Sequence, residues 1–240
     1  MQRFLPLFLI LFLLLPGPAS AGETLTIGKP CLNQQCSFPQ LEEFFRQAYA
    51  RLGKEVRFRS LPAIREIDSA DSGETDGCLL RTELVGRRYP GLVMVPYPLL
   101  HSTMVACAVR DDVKVHTAAD LVGYRVGISR GGVAPHLICQ EVGVVPTLLN
   151  NLSSGLKMLG EGRLDVILEE EVLLRHAAGE ANVTLHCSEP LLHGYFYHWL
   201  NRKHADLAPA LAEAFRAMAA DGSMRKILSD YQAQMPDGVR

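Results

Sequence analysis

An excess of charge of either sign is missing from this 240-residue chain: 24 Lys and Arg stand against 26 Asp and Glu, a formal net charge of −2. Binding a phosphate backbone needs a concentrated cationic face, so a nucleic-acid partner is disfavoured. Cys-x-x-Cys pairs, His-x-x-x-His pairs and the His-Glu-x-x-His motif are also absent. That removes the usual zinc spacings, and neither a metal site nor a cofactor is expected. The 20 Gly and 14 Pro follow no triplet period, which excludes a collagen-like chain. With 48% hydrophobic residues the chain can bury a core, and its length suits one large domain or two of about 100 residues.

Long apolar runs are scarce too. The longest, residues 4–15, falls short of the roughly twenty residues that a membrane span needs. It follows a single basic residue, Arg3, and ends at Pro16-Gly17-Pro18, ahead of Ala19-Ser20-Ala21. A basic start, a short apolar centre and a small-x-small site are the three parts of a secretory signal peptide. Residues 1–21 are therefore expected to be removed after Ala21, and the mature chain to be exported. Gly22, not a cysteine, follows the cut, so no lipid anchor is implied. All six cysteines lie beyond it, and in an oxidising compartment they allow 15 complete pairings. Cys31 and Cys36 are close enough to close a small loop. Cys78, inside an apolar run, reads equally well as a buried free thiol.

Elements alternate along the rest of the chain. Residues 25–28 read as a strand and 41–52 as a helix, with apolar residues at 41, 44, 45, 48, 49 and 52. Strands follow at 56–61 and 76–80, separated by a short polar stretch, 63–72. Further strands are expected at 92–95, 104–109, 125–128, 164–168, 183–187 and 194–200. Helices are expected at 133–142, 152–159, 172–178, 207–220 and 224–231. Strands alternating with helices of this length mean an α/β chain with largely parallel sheets.

Three stretches carry a resemblance. The first is Thr117-Ala118-Ala119-Asp120-Leu121-Val122-Gly123-Tyr124-Arg125-Val126-Gly127-Ile128, continuing into Ser129-Arg130-Gly131-Gly132. The second is Leu159-Gly160-Glu161-Gly162-Arg163-Leu164-Asp165-Val166-Ile167-Leu168, followed by Glu169-Glu170-Glu171. The third is the helical stretch 207–231, with Phe215, Asp221-Gly222 and Ile227-Leu228. In this order they resemble the extracellular solute-binding proteins of polar amino acid ABC transporters (family 3, the type 2 periplasmic binding fold). The match runs from about residue 116 to 231 and is weak before residue 98. It implies an α/β, two-lobe fold, each lobe a mostly parallel sheet flanked by helices, joined by two crossover strands. The crossings would fall near 97–101 and 191–195. Lobe 1 would then be 22–98 with 193–240, and lobe 2 would be 99–192. A small polar ligand, an amino acid or related carboxylate, would be held in the cleft by hinge closure. It would be held without catalysis, for an ABC transporter permease or a membrane sensor. A periplasmic monomer is implied.

A zwitterion in such a cleft needs a guanidinium and free N–H groups for its carboxylate, and a carboxylate for its ammonium. Arg81, at the end of the strand 76–80, is the candidate guanidinium. Its other reading is a surface residue paired with Glu83, and Arg87 and Arg88 are alternatives. Ser129, Gly131 and Gly132 form a glycine turn able to bring backbone N–H groups close to an anion. Here Gly132-Val133 stands where the family has a Ser or Thr. Glu170 matches the family's acidic residue for the ammonium, with Glu169 and Glu171 beside it. The usual acidic residue after the first strand is replaced by Gln40-Leu41-Glu42-Glu43. Phe38 could supply an aromatic wall, and His193 and His198 flank the second crossing, where lining the cleft or binding a metal is the alternative to ordinary packing. Two alternatives remain. One is an enzyme like the periplasmic cyclohexadienyl dehydratases, with Glu169 or Glu170 as general acid. The other is a ligand-less module acting through a protein partner.

Overall fold

A computed structural model describes residues 24–31 and 37–236. The expected signal segment, its cleavage site and Cys36 lie outside the described residues. In chain order the strands and α-helices are β1 (Thr24–Cys31), α1 (Pro39–Ala50), β2 (Glu55–Pro62), α2 (Ala63–Ser72) and β3 (Gly77–Thr82). Then come β4 (Leu92–Met94), β5 (Leu100–Ala108), β6 (Val126–Ser129), α3 (Val133–Glu141), β7 (Thr147–Leu149), α4 (Leu152–Gly160), β8 (Val166–Glu170) and α5 (Glu171–Glu180). The last are β9 (His186–Cys187), β10 (Leu192–Asn201), α6 (Leu207–Ala220) and α7 (Ser223–Ile227). No helix among the described residues is long and apolar enough to cross a membrane.

The strands form one curled sheet in the order β2-β1-β3-β10-β5-β8-β6-β7, with β4 on β10 and β9 on β5. Pairing is parallel at both ends, β2-β1-β3 and β8-β6-β7. It is antiparallel in every pair that involves β10 or β5, where these strands join the ends and where β4 and β9 add to them. Those two strands pair with each other from Leu192↔Met104 to Phe196↔Leu100, so both connections between the halves run side by side. Cys107 and Cys187 fasten β5 to β9 by a disulfide, and Cys78 and Cys139 are buried free thiols. Cys31 is disulfide-bonded, and its expected partner, Cys36, is not among the described residues.

Two cores follow from this order. In the first half, Leu41, Phe44, Phe45, Ala48 and Tyr49 recur at three and four along α1 and turn inward. They meet α6, where Phe215 stacks on Phe44 at 5.3 Å between ring centroids. Fully burying a side chain of this size contributes about 2 kcal/mol. The other half buries Val126, Ile128, Val166 and Leu168 on one side of β6 and β8, and Leu156, Leu159 and Ile167 on the other. The stretch 63–72, expected as a polar connection, is the helix α2, capped by Gly73 at φ 83°. Two of the residues it buries, Glu66 and Ser69, are polar, so its apolar period is weak.

His198 belongs to the first core and not to a cleft or metal site. It has no exposed surface, and its Nδ1 lies 3.0 Å from the Leu79 carbonyl oxygen. A carbonyl only accepts, so Nδ1 carries the hydrogen, and Nε2 accepts from the Tyr49 hydroxyl at 2.8 Å. Burial lowers the His198 pKa to about 4, with the hydrogen bonds to backbone opposing. The folded chain thus favours neutral His198, and its contribution is lost as pH falls from about 6.5 to about 4. The His198→Phe variant is expected to lose about 2 kcal/mol at pH 8, from the orphaned Leu79 carbonyl and Tyr49 hydroxyl. Its stability should then fall less steeply than the parent's between pH 6.5 and 4. Urea denaturation at both pH values checks this.

Candidate functional site

A cleft of about 650 Å³ opens between the two halves of the sheet, within the range typical of small-molecule sites. One wall comes from β3 and the start of α2, the other from the turn after β6 and the end of β8. Arg81, Ser129, Gly131, Gly132 and Glu170 all line it, and Glu169 and Phe38 do as well. The alternatives Arg87 and Arg88 are exposed and do not line it. Among the described residues no group of three or more His, Cys, Asp or Glu is placed to hold a metal ion.

Arg81 reaches the cleft from the end of β3, and its partner is Glu66, not the Glu83 of the alternative surface reading. Its Nε donates to Glu66 Oε2 at 2.9 Å, its Nη2 closes on the same oxygen, and Nη2 also donates to the Ala63 carbonyl at 3.0 Å. Glu66 is fully buried and accepts from the Leu79 N–H at 3.3 Å. Burial pushes the Glu66 carboxyl up, and the Arg81 charge pulls it back. The guanidinium cannot give up its proton, and two of its N–H groups meet one oxygen, so the contact is an ion pair. Gly28 makes room for it, since a Cβ there would lie 2.9 Å from Glu66 Cγ. Glu42, in the stretch that replaces the family's acidic residue, is taken up by the buried Lys29.

On the opposite wall Glu170 is 7% exposed. It accepts from Ser102 Oγ at 2.6 Å and from the Thr103 N–H at 3.0 Å. Burial raises its pKa to about 7; the Ser102 hydroxyl opposes the shift, and the charge of Glu169 adds to it. Glu169 accepts from the Glu170 N–H at 2.9 Å through Oε1, while Oε2 is buried with no hydrogen-bond partner among the described residues. Burial pushes its carboxyl up; Ser129, beside it, favours the charged form without reaching hydrogen-bond geometry to Oε2.

The turn from β6 to α3 is closed by Gly132 N–H on the Ser129 carbonyl at 2.9 Å, with Gly131 at φ +92°. A Cβ at Gly131 would stand 3.0 Å from both Ala63 Cβ and Ile64 N of α2. Glycine here serves the backbone and the contact between the halves together. Val133 continues that contact, buried in one cluster with Ile67, Val85 and Trp199.

The run Gly127-Ile128-Ser129-Arg130-Gly131 has the Gly-x-Ser-x-Gly spacing of a nucleophile elbow, at a strand-to-helix turn. No elbow forms: Ser129 is not at positive φ, and among the described residues no histidine bonds to it. Two Ser-x-x-Lys spacings, Ser154 to Lys157 and Ser223 to Lys226, lie away from the cleft. Sequence reasoning had no place for Glu66 or Ser102. The available signal for Glu66 was its position beside Ile67 and Ala70 on one helical face.

No family model matches the chain. An uncharacterised protein of Shewanella oneidensis is 24% identical over 211 residues, covering 83% of this chain and 78% of that one. A histidine kinase sensor domain described as similar to periplasmic binding proteins superposes with TM-score 0.73 at 18% identity, over 88% of this chain and 97% of its own. The fold is that of the periplasmic binding proteins. A mutant of ArgBP from T. maritima gives TM-score 0.71 at 16% identity, over 88% of this chain and 96% of its own. A putative L-cystine ABC transporter protein from Listeria monocytogenes gives 0.70 at 16%, over 89% and 98%. The binding-protein fold accounts for the paired β5 and β10 and for a cleft walled by both halves.

Two substitutions test this geometry. Gly131→Ala should strain the turn and press the halves apart, costing about 1–3 kcal/mol and enlarging the radius of gyration in small-angle scattering. Glu170 has a raised folded pKa, so its stabilising share is full below about 4.5 and is lost as pH rises through about 7. At about 1.4 kcal/mol per unit the loss is bounded at roughly 3 kcal/mol. Glu170→Gln should flatten the fall in stability between pH 5 and pH 8, as read by urea denaturation.

Proposed function

We propose that this chain is an exported solute-binding protein that holds one small ligand reversibly between two lobes. It passes the ligand to an ABC transporter permease or reports it to a membrane sensor, as a periplasmic monomer without catalysis. The lobes are 22–98 with 193–240 and 99–192, and a signal segment, 1–21, is removed after Ala21. One observation carries this reading: the cleft's polar groups come from both walls, Arg81 from one and Ser129, Gly131, Gly132, Glu169 and Glu170 from the other. A ligand touching both walls ties the halves together, which is what hinge closure around a solute requires. The amino-acid-binding proteins and the sensor domain that share the fold support binding or sensing as the use of the cleft.

A second reading has one specific observation in its favour. A cleft carboxyl with a pKa near 7, Glu170, is suited to act as a general acid. A cyclohexadienyl-dehydratase-like enzyme would use it so. Turnover of prephenate or arogenate at high protein concentration would establish that reading, and no product would remove it.

The binding reading is tested by differential scanning fluorimetry against amino acids, organic acids and small amines. A true ligand at a hundred times its Kd should add about 2.7 kcal/mol, and the shift should shrink in Glu170→Gln. No shift with any compound would leave the protein-partner alternative in its place.

A further inference from the structure

The inner cleft has a polarity that an amino acid does not match. Of the two arginines lining it, Arg81 is already engaged by Glu66 and Ala63. Arg130 is exposed at the rim and donates Nε to Asn150 Oδ1 at 3.2 Å. Facing them, Glu169 and Glu170 follow each other at the end of β8, both more than nine-tenths buried. Glu170 is supplied with two donors, Ser102 and Thr103. Glu169 Oε2 has none among the described residues, and a buried carboxylate oxygen without a donor is a standing cost. The chain therefore leaves an acceptor open inside the cleft while its deepest cation is already neutralised. Between these groups the walls are apolar, with Phe38, Leu80, Val85, Leu100, Val133 and Phe196 all lining the space.

An α-amino acid brings a carboxylate alongside its ammonium. Bound here, that carboxylate would meet an Arg81 whose charge Glu66 already offsets, with only its Nη1 hydrogens left to donate, and would lie near two acidic residues. A simple amine brings only donors.

We propose that the cleft selects an amine lacking an α-carboxylate, its ammonium donating to Glu169 and Glu170 and its apolar body lying against Phe38, Leu80 and Phe196. This deepens the solute-binding reading and rests on it. The groups acting on the acidic pair are few: Glu83, from the turn after β3, and Glu169 act on Glu170, and Ser129 lies beside Glu169. Glu170, raised to about 7, is more fully ionised at pH 8 than at pH 6, so the ammonium should bind tighter at pH 8.

The test is isothermal titration of the mature chain with two matched sets. One set is phenethylamine, L-phenylalanine and 3-phenylpropanoate; the other is pentylamine, L-norleucine and hexanoate. Within a set the body is held constant and only the charged groups change. In at least one set the amine should bind ten times tighter than the amino acid or better, with no binding of the acid and tighter amine binding at pH 8. Glu169→Gln and Glu170→Gln should each weaken the amine at least tenfold. If either variant fails to fold by circular dichroism, the comparison within the sets on the unaltered chain decides. Equal or tighter binding of an amino acid or an acid overturns amine selection and leaves the solute-binding reading standing, because a ligand still binds. If no member of either set binds, amine selection falls. If the wider panel of amino acids and organic acids also fails, the solute-binding reading falls with it.

Discussion

A carboxylate with no exposed surface, Glu66, lies under one wall of the cleft, and the guanidinium of Arg81 makes that burial tolerable. Removing one partner of such a pair leaves an uncompensated buried charge, at a cost of about 3–5 kcal/mol. The pair therefore constrains everything around it. Glu66 holds α2 to β3 through the Leu79 N–H, Arg81 holds the first turn of α2 through Ala63, and Gly28 leaves β1 open beneath. The start of α2 is the surface that Gly131 of the other half meets. The position of one ion pair thus reaches across the cleft and sets how close the two walls can come.

The opposite wall is built on a different principle. Glu169 and Glu170 have no guanidinium, and what holds them is the hydroxyl of Ser102, two backbone N–H groups and burial itself. Burial without a counter-charge raises a carboxyl pKa, whereas burial of His198 without a counter-charge lowers one. His198 and Glu170 consequently respond to pH with opposite sign. Such a wall costs the empty chain stability once its carboxyls ionise, and protonation or a hydrogen-bond donor relieves that cost.

How far these features could be read from the chain depended on how local they are. The period of α1 and α6, the alternation in β2 and the glycine turn before α3 are local patterns, and each element lies within a few residues of its expected place. α2 was not legible as a helix because its inward face carries Glu66 and Ser69, and a pattern of apolar residues cannot register a buried charge. Arg81 was legible as a cleft residue from its place at a strand end. Its partner was not: the alternative reading offered Glu83, two residues away, and Glu66, fifteen residues back, is the one in contact. Among the candidate histidines, position near a strand crossing suggested the cleft, yet the inward direction of His198 on β10 places it in the core beside Tyr49.

The order of strands and helices and the glycine and arginine candidates followed from the residues, because period, punctuation and spacing are properties of neighbours, and the Glu170 candidate came from the family likeness of the second half. Folding decided which charges cancel. Whether Arg81 greets a ligand or is already satisfied, and whether Glu169 is solvated or sealed in with an empty acceptor, depends on residues brought together from distant parts of the chain. Electrostatic character inside a cleft is a property of distances in space, and no one-dimensional spacing carries it.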